Sequence, residues 1–181
     1  MIISAEELLK RDKLNGEERF RGMNPDILSM KLEALENLIR SYTNNNFQNR
    51  SMRIEAPVVN GLLTGYSPYF REGDTIQISQ SGVNDGLYVI KEIQSGEIHV
   101  DKELYDNPVN TITKVVYPPD IQKGVVDLMV WEKDNRKKVG IKSESLSRHS
   151  VTYFDQDSNN QVMGYPVSLL GFLKPYMRPR F

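Results

Sequence analysis

The chain has 181 residues, 39% apolar and 26% charged, with 23 basic against 24 acidic side chains, two histidines and no cysteine. That length supports one domain or two small ones, and the composition excludes disulfide scaffolds, thiolate zinc sites, thiol nucleophiles and multi-histidine metal centres. The net charge of −1 excludes a strongly polycationic binder, and no apolar run reaches the roughly 18 to 20 residues of a membrane-spanning helix.

Met1-Ile2-Ile3-Ser4 runs straight into acidic residues, without the basic stretch and apolar h-region of a secretion signal, so the product is expected to stay in the cytosol that made it. Ser4 stands three residues before Glu7, the spacing of a capping box, and predicts a short first helix. The stretch between Gly16 and Gly22 has no clear pattern. Asn24-Pro25-Asp26 then supplies a cap, a first-turn proline and an early acid. Leu28, Leu32, Leu35, Ile39 and Tyr42 form an apolar stripe, widened by Ile27 and Leu38, with Lys31, Glu33, Glu36 and Arg40 assigned to the opposite face.

From about Ile54 to Tyr117 the period changes to two, and four or five strands are predicted around Ile76 and Ile78, then Leu87, Val89 and Ile93, then Ile98 and Val100, then Ile112 and Val116. Asn84-Asp85-Gly86 and Gln94-Ser95-Gly96 predict tight turns, hence an antiparallel barrel or sandwich. Pro118-Pro119-Asp120 opens a helix carrying Ile121, Val125, Leu128, Val130 and Trp131, with Glu132 to Lys138 as its solvated continuation. Residues 143–160 read as a polar loop holding one short strand around Val151, Tyr153 and Phe154. A last helix begins at Gly164-Tyr165-Pro166, carries Leu169, Leu170 and Leu173, and is stopped by Lys174-Pro175.

The expected fold class is therefore α+β: a small helical bundle with an inserted antiparallel β-barrel or sandwich and an extended carboxy-terminal tail. Its divisions are 1–52 for the first helices, 53–117 for the insertion, 118–174 for the last helices and loop, and 175–181 for the tail. Residues 51–117 carry nine acids against five bases, and residues 118–181 carry seven acids against ten bases. The insertion is acidic and the end basic.

Motifs of catalysis are missing: no GxxxxGK[ST], GxSxG, HExxH or GxGxxG occurs. Ser145 to Ser150 sets hydroxyls beside His149, but members of a catalytic triad converge from separate elements, and a polar loop is the better reading. Asp155-Gln156-Asp157-Ser158-Asn159 opens like a calcium loop. Asn160 then stands where glycine is needed and Pro166 where the bidentate glutamate belongs. Glu97, His99 and Asp101 read as a solvated acidic edge. A small hydrolase using His149 or Asp155 is accordingly the weakest expectation, and no cofactor or metal is assigned. Tyr66, Tyr69 and Phe70 sit in a loop punctuated by glycine and proline. They read first as a cap on the barrel's open end and second as a stacking platform for bases or sugars. The tail, Tyr176, Met177, Arg178, Arg180 and Phe181, combines side chains enriched at interface cores and is read as docking to a partner or a neighbouring subunit.

The last third carries a resemblance. Val125-Val126-Asp127-Leu128-Met129-Val130-Trp131, the basic Arg136-Lys137-Lys138, Ile141 to Tyr153, and Gly164-Tyr165-Pro166 through Leu173-Lys174-Pro175-Tyr176-Met177-Arg178 are the segments concerned. Together they resemble the head-tail connector (adaptor) proteins of long-tailed double-stranded DNA bacteriophages. In that family a helix of small and apolar residues leads to S/K-E-S-hydrophobic-G-x-[YH]-S-V-x-Y and a final helix ending in Leu-x-Pro-Tyr-Arg. Here Ser147 replaces the glycine and Met177 intervenes before Arg178. The resemblance covers about half the chain, and the β insertion looks like a decoration that some members carry.

What the resemblance implies is a structural virion protein without enzymatic activity. Its place would be the head-tail interface, after assembly in the host cytoplasm. It would form a homo-oligomeric ring of about twelve copies beneath the portal protein, receive the head-completion (stopper) protein, and let DNA pass through its lumen without specific binding. Ser143, Glu144, Leu146, Arg148, His149, Val151 and Tyr153 would then belong to a loop packing on the neighbouring subunit, and Tyr176 to Phe181 to a tail on the portal or that subunit. Near-neutral charge suits a conduit, since a strongly basic lumen would grip DNA through counterion release. The alternative from a different class is a nucleic-acid or carbohydrate binding module using the β insertion.

Overall fold

The computed structural model describes residues 1–65, 67–136, 143–146, 149–152 and 161–180, with backbone alone for 143–146 and 149–152. Among them the fold is mixed: three α-helices, one 3₁₀ helix, a closed six-stranded antiparallel barrel and two short ribbons. The chain divides into two units, one formed by Met1 and residues 46–117, the other by residues 2–45 and 118–181.

In the helical unit, α1 (Ala5–Leu14) begins where Ser4 Oγ accepts the Glu7 N–H at 3.1 Å. Helix α2 (Pro25–Thr43) begins where Asn24 Oδ1 accepts the Asp26 N–H at 2.7 Å. Both starts follow from the sequence, because a short side-chain oxygen satisfies an N–H that has no partner inside the helix. Leu28, Leu32, Leu35 and Ile39 are buried as the stripe requires, but Ile27 is half exposed. Glu36 and Arg40, expected on the solvent face, are only 5% and 9% exposed. They are one turn apart on a helix that other elements flank, so a single apolar stripe understates the buried arc. The segment between α1 and α2 is held by Asp12, whose Oδ2 accepts the Phe20 N–H at 2.8 Å. Phe20 is buried, with Lys133 Nζ 5.8 Å from its ring centre.

Helix α3 (Pro119–Asn135) buries Ile121, Val125, Leu128 and Met129. Arg11 Nη2 donates to Gln122 Oε1 at 3.2 Å and links it to α1. The carboxy-terminal helix, Val167–Tyr176, is 3₁₀ in form. Leu170 and Leu173 are three residues apart, which places them on one face at three residues per turn, and both are buried. Pro175 does not stop this helix, which includes it and ends one residue later. Its ring fixes a φ that the 3₁₀ form accepts, and near the end a missing N–H removes only one bond. The helix also starts later than predicted. Gln161–Val162 and Tyr165–Pro166 pair as a tiny ribbon, with both turn residues, Met163 and Gly164, at positive φ.

Gly124 lets α3 lie close against Phe172, since a Cβ there would be 2.3 Å from ring atoms. Gly124→Ala is expected to destabilise the helical unit by about 1–3 kcal/mol, because forced displacement of the ring outweighs the gain of up to about 1 kcal/mol in helix propensity. Urea unfolding followed by the fluorescence of Trp131, the sole tryptophan, checks this, and Gly124→Ala with Phe172→Leu should recover most of the loss.

The barrel unit contains β1 (Gln48–Val59), β2 (Leu62–Thr64), β3 (Thr75–Ser79), β4 (Gly86–Gln94), β5 (Glu97–Val100) and β6 (Asn107–Val115). They close in the order β1-β2-β5-β4-β3-β6. Asn60-Gly61 and Ser95-Gly96 make two-residue turns with positive φ at both positions, the form whose twist suits a hairpin. The interior holds Leu63, Ile76, Ile78, Ile90, Ile98 and Ile112, all almost fully buried. Each contributes roughly 1.5–3 kcal/mol relative to exposure.

Two expectations are corrected here. Residues 48–52, placed with the first helices because the strand period in the sequence starts at about Ile54, belong to β1. Asn44 ends α2 in the left-handed conformation; Phe47 then packs against Tyr117, ring centres 5.0 Å apart and tilted by 46°, and its carbonyl accepts the Val116 N–H at 2.9 Å, so the chain enters and leaves the barrel side by side. In β4 the inward residues are Tyr88 and Ile90 rather than Leu87 and Val89. A register shift between Ile90 and Glu92 reverses the alternation, which is why Ile93 still packs against the core.

Candidate functional site

The carboxy-terminal segment after the 3₁₀ helix is fixed on the end of α2. The last carbonyls of any α-helix have no partner within it. Here the Arg178 N–H donates to the Thr43 carbonyl at 2.8 Å, and Arg180 Nη2 donates to the Ser41 carbonyl at 2.8 Å. In return Asn44 Nδ2 donates to the Pro179 carbonyl at 2.8 Å and Asn45 Nδ2 to the Tyr176 carbonyl at 3.1 Å. A guanidinium at this end also meets the negative pole of the helix. Tyr176 Oη donates to both carboxylate oxygens of Asp120, at 2.8 and 2.7 Å, and this bond, with smaller contributions from burial and the carboxylate charge, raises the phenol's pKa. Met177, Arg178 and Arg180 stay exposed, and Phe181 lies outside the described residues.

A second cluster surrounds Glu132, which the sequence pattern had left in solvent. Its Oε1 accepts from Lys31 Nζ at 2.5 Å and its Oε2 from Tyr165 Oη at 2.8 Å, so α2, α3 and the ribbon before the 3₁₀ helix converge on one carboxylate. Trp131 lies 5.4 Å from the Tyr165 ring, Arg136 lies 5.7 Å from the same ring, and Arg136 Nη1 donates to the Gly164 carbonyl at 3.1 Å. Burial pushes the Glu132 pKa up, but the bonds from Lys31 and Tyr165 and the nearby cations outweigh it, leaving a net lowering. Burial, then donation to a carboxylate, pushes the Tyr165 phenol well above its usual range.

The segment expected to be a loop contains a hairpin. Strands β7 (Ser143–Leu146) and β8 (His149–Thr152) pair antiparallel, with Ser143 opposite Thr152, Glu144 opposite Val151, Ser145 opposite Ser150 and Leu146 opposite His149. Polar strands show no apolar alternation, so backbone pairing here leaves little trace in the sequence. Arg148, Tyr153, Asp155 and Asn160 lie outside the described residues.

Phe70 belongs to the barrel core, at 2% exposure, and Tyr69 is half exposed. Tyr66 lies outside the described residues, which leaves Tyr69 as the one ring of the three that is described in solvent. A cleft of about 550 Å³ opens beside it, lined by Ser67, Pro68, Phe70, Arg71, Glu72 and Ile93. Arg71 is turned toward the loop itself, donating to the Pro68 and Phe70 carbonyls at 2.8 and 2.7 Å. Asp101, grouped with Glu97 and His99 in the sequence, uses its carboxylate to accept the Val89 N–H at 2.8 Å. Among the described residues no group of three or more acidic or histidine side chains is placed to hold a metal, and no helix is long and apolar enough to cross a membrane.

No model of a known protein family matches this sequence, and no curated protein matches it.

Proposed function

We propose that the chain is a head-tail connector of a long-tailed double-stranded DNA phage: a non-enzymatic ring subunit that docks beneath the portal and receives the stopper. The supporting observation is the convergence of segments that carry the resemblance. Trp131 and Arg136 pack on Gly164 and Tyr165, so three of the segments meet in one cluster. A second support is the segment from Tyr176 to Arg180, which presents Met177 and two arginines from a braced backbone. Holding that backbone on α2 in advance lowers the ordering cost when the segment meets a partner.

The test uses the full chain and a variant lacking residues 177–181, each mixed with assembled rings of a long-tailed phage portal protein. Cosedimentation is expected for the full chain and is expected to fall at least about tenfold for the truncated one, the loss of about 1.4 kcal/mol or more. The truncated chain should still melt cooperatively, at a lower temperature, since the last carbonyls of α2 regain water. Equal cosedimentation of the two chains would remove the tail from the portal contact.

A further inference from the structure

One end of the barrel carries large apolar side chains in solvent. Val59, Val83, Tyr105 and Val109 are 48%, 60%, 59% and 54% exposed. Hydrogen bonds beneath them hold their segments together. Asn84 Nδ2 donates to the Tyr105 carbonyl at 2.8 Å and to Asn110 Oδ1 at 3.2 Å. Asn107 Nδ2 donates to the Ser81 carbonyl at 2.8 Å, and the Gly61 N–H donates to Asp106 Oδ1 at 3.0 Å. Val59 and Val109 lie on the outside of the adjoining strands β1 and β6, because their neighbours Val58 and Asn110 are buried inside. Exposed Asp85, Asp101, Glu103 and Asp106, with Lys102 as the one base among them, stand on the same loops. The barrel unit as a whole, residues 46–117, has nine acidic against six basic side chains.

An apolar surface rimmed by carboxylates fits a partner that brings apolar and basic groups together. The strip from Lys174 to Arg180 has that chemistry. Lys174, Arg178 and Arg180 are exposed, Met177 is 49% exposed, and no acidic residue occurs from Gln161 to Phe181. The bonds that fix the strip on α2 use its backbone and the Arg180 guanidinium, while Met177 and the Arg178 side chain face outward.

We infer that the acid-rimmed end of the barrel of one copy receives the Lys174–Arg180 strip of a second copy. The inference rests on the ring-subunit reading above and supplies the two surfaces that meet. Such a contact joins two different patches, so it is head-to-tail and closes into a ring when its rotation permits.

Sedimentation velocity of the full chain tests it, at about 50 mM and about 500 mM NaCl. Association that rises with concentration and weakens with salt is expected. Val109→Glu should weaken it at least about tenfold, with an unchanged circular dichroism spectrum. Glu103→Arg and Arg178→Glu should each weaken it, and their combination should restore it, since the reversed pair meets across the interface. A chain that stays monomeric at both salts, or association untouched by all three single variants, overturns the inference. Portal cosedimentation of Val109→Glu and Glu103→Arg, which leave the terminal strip unaltered, keeps the two readings apart. A monomer that still joins portal rings overturns this contact alone, whereas intact self-association without portal binding overturns the connector reading alone.

Discussion

Replacing Asn84 with alanine is expected to cost the barrel about 2–4 kcal/mol. Its side chain is 1% exposed and makes three bonds. Nδ2 donates to the Tyr105 carbonyl and to Asn110 Oδ1, while Oδ1 accepts the Tyr105 N–H at 2.8 Å. Asn110, fully buried, passes the network on through Nδ2 to the carbonyls of Ala56 at 3.0 Å and Asn107 at 3.1 Å. Alanine leaves the Tyr105 N–H without its partner, and leaves the Tyr105 carbonyl and Asn110 Oδ1 each one donor short. Each buried group so stranded costs about 1–3 kcal/mol, partly relieved wherever water reaches Tyr105. Asn84→Asp keeps the shape but loses both donors and adds a charge, so it should be at least as damaging at neutral pH. Hydrogen exchange at Tyr105 and Asn110 reads the barrel directly, while Trp131 fluorescence reads the helical unit. Exchange at these two positions no faster than in the unaltered chain would show that the network contributes nothing.

Glu132→Gln is the second expectation, with a loss of about 1–2 kcal/mol from the helical unit at pH 7. Glutamine still accepts from Tyr165 but gives Lys31 only a neutral partner in place of a carboxylate, and Lys31 is about a third exposed, which limits the loss. The pH dependence identifies the group. Glu132 is held below the ordinary carboxylate range in the folded chain, so its contribution is complete above the unfolded value of about 4.5 and disappears as pH falls through the folded one. The Tyr165 phenol is held above its ordinary value of about 10. Its contribution is present below that value and disappears as pH rises through the folded one. The difference in unfolding free energy between the unaltered chain and Glu132→Gln should therefore be flat from about pH 6 to 9 and shrink in acid. Urea midpoints across this range decide it, and a difference that persists unchanged at pH 3 would assign the effect to packing.

Much of the secondary structure follows from short-range rules. Ser4, Asn24 and Pro25 set helix starts because they act within one turn, and Leu28 to Ile39 set a buried face because their spacing matches the helical repeat. Asn60-Gly61 could have identified the turn between β1 and β2, since both residues tolerate positive φ there. Glu132 had no such signal. Its partners Lys31 and Tyr165 stand 101 and 33 residues away, and nothing near it in the chain distinguishes it from a solvated acid. The same holds for Phe70, a loop aromatic that the closing of the barrel draws into the core.

What the sequence determined by itself was the arrangement of local elements: helical ends, a middle with a period of two, and an acidic insertion ahead of a basic terminus. Only the tertiary structure decided which strands close the barrel, which side of β4 faces inward, and where the terminal strip lies. A register shift at one residue reverses the alternation beyond it, and strand closure joins residues far apart in the chain. The strip's site depends on the last carbonyls of α2, more than 130 residues away, a demand that every helix makes and that folding alone answers.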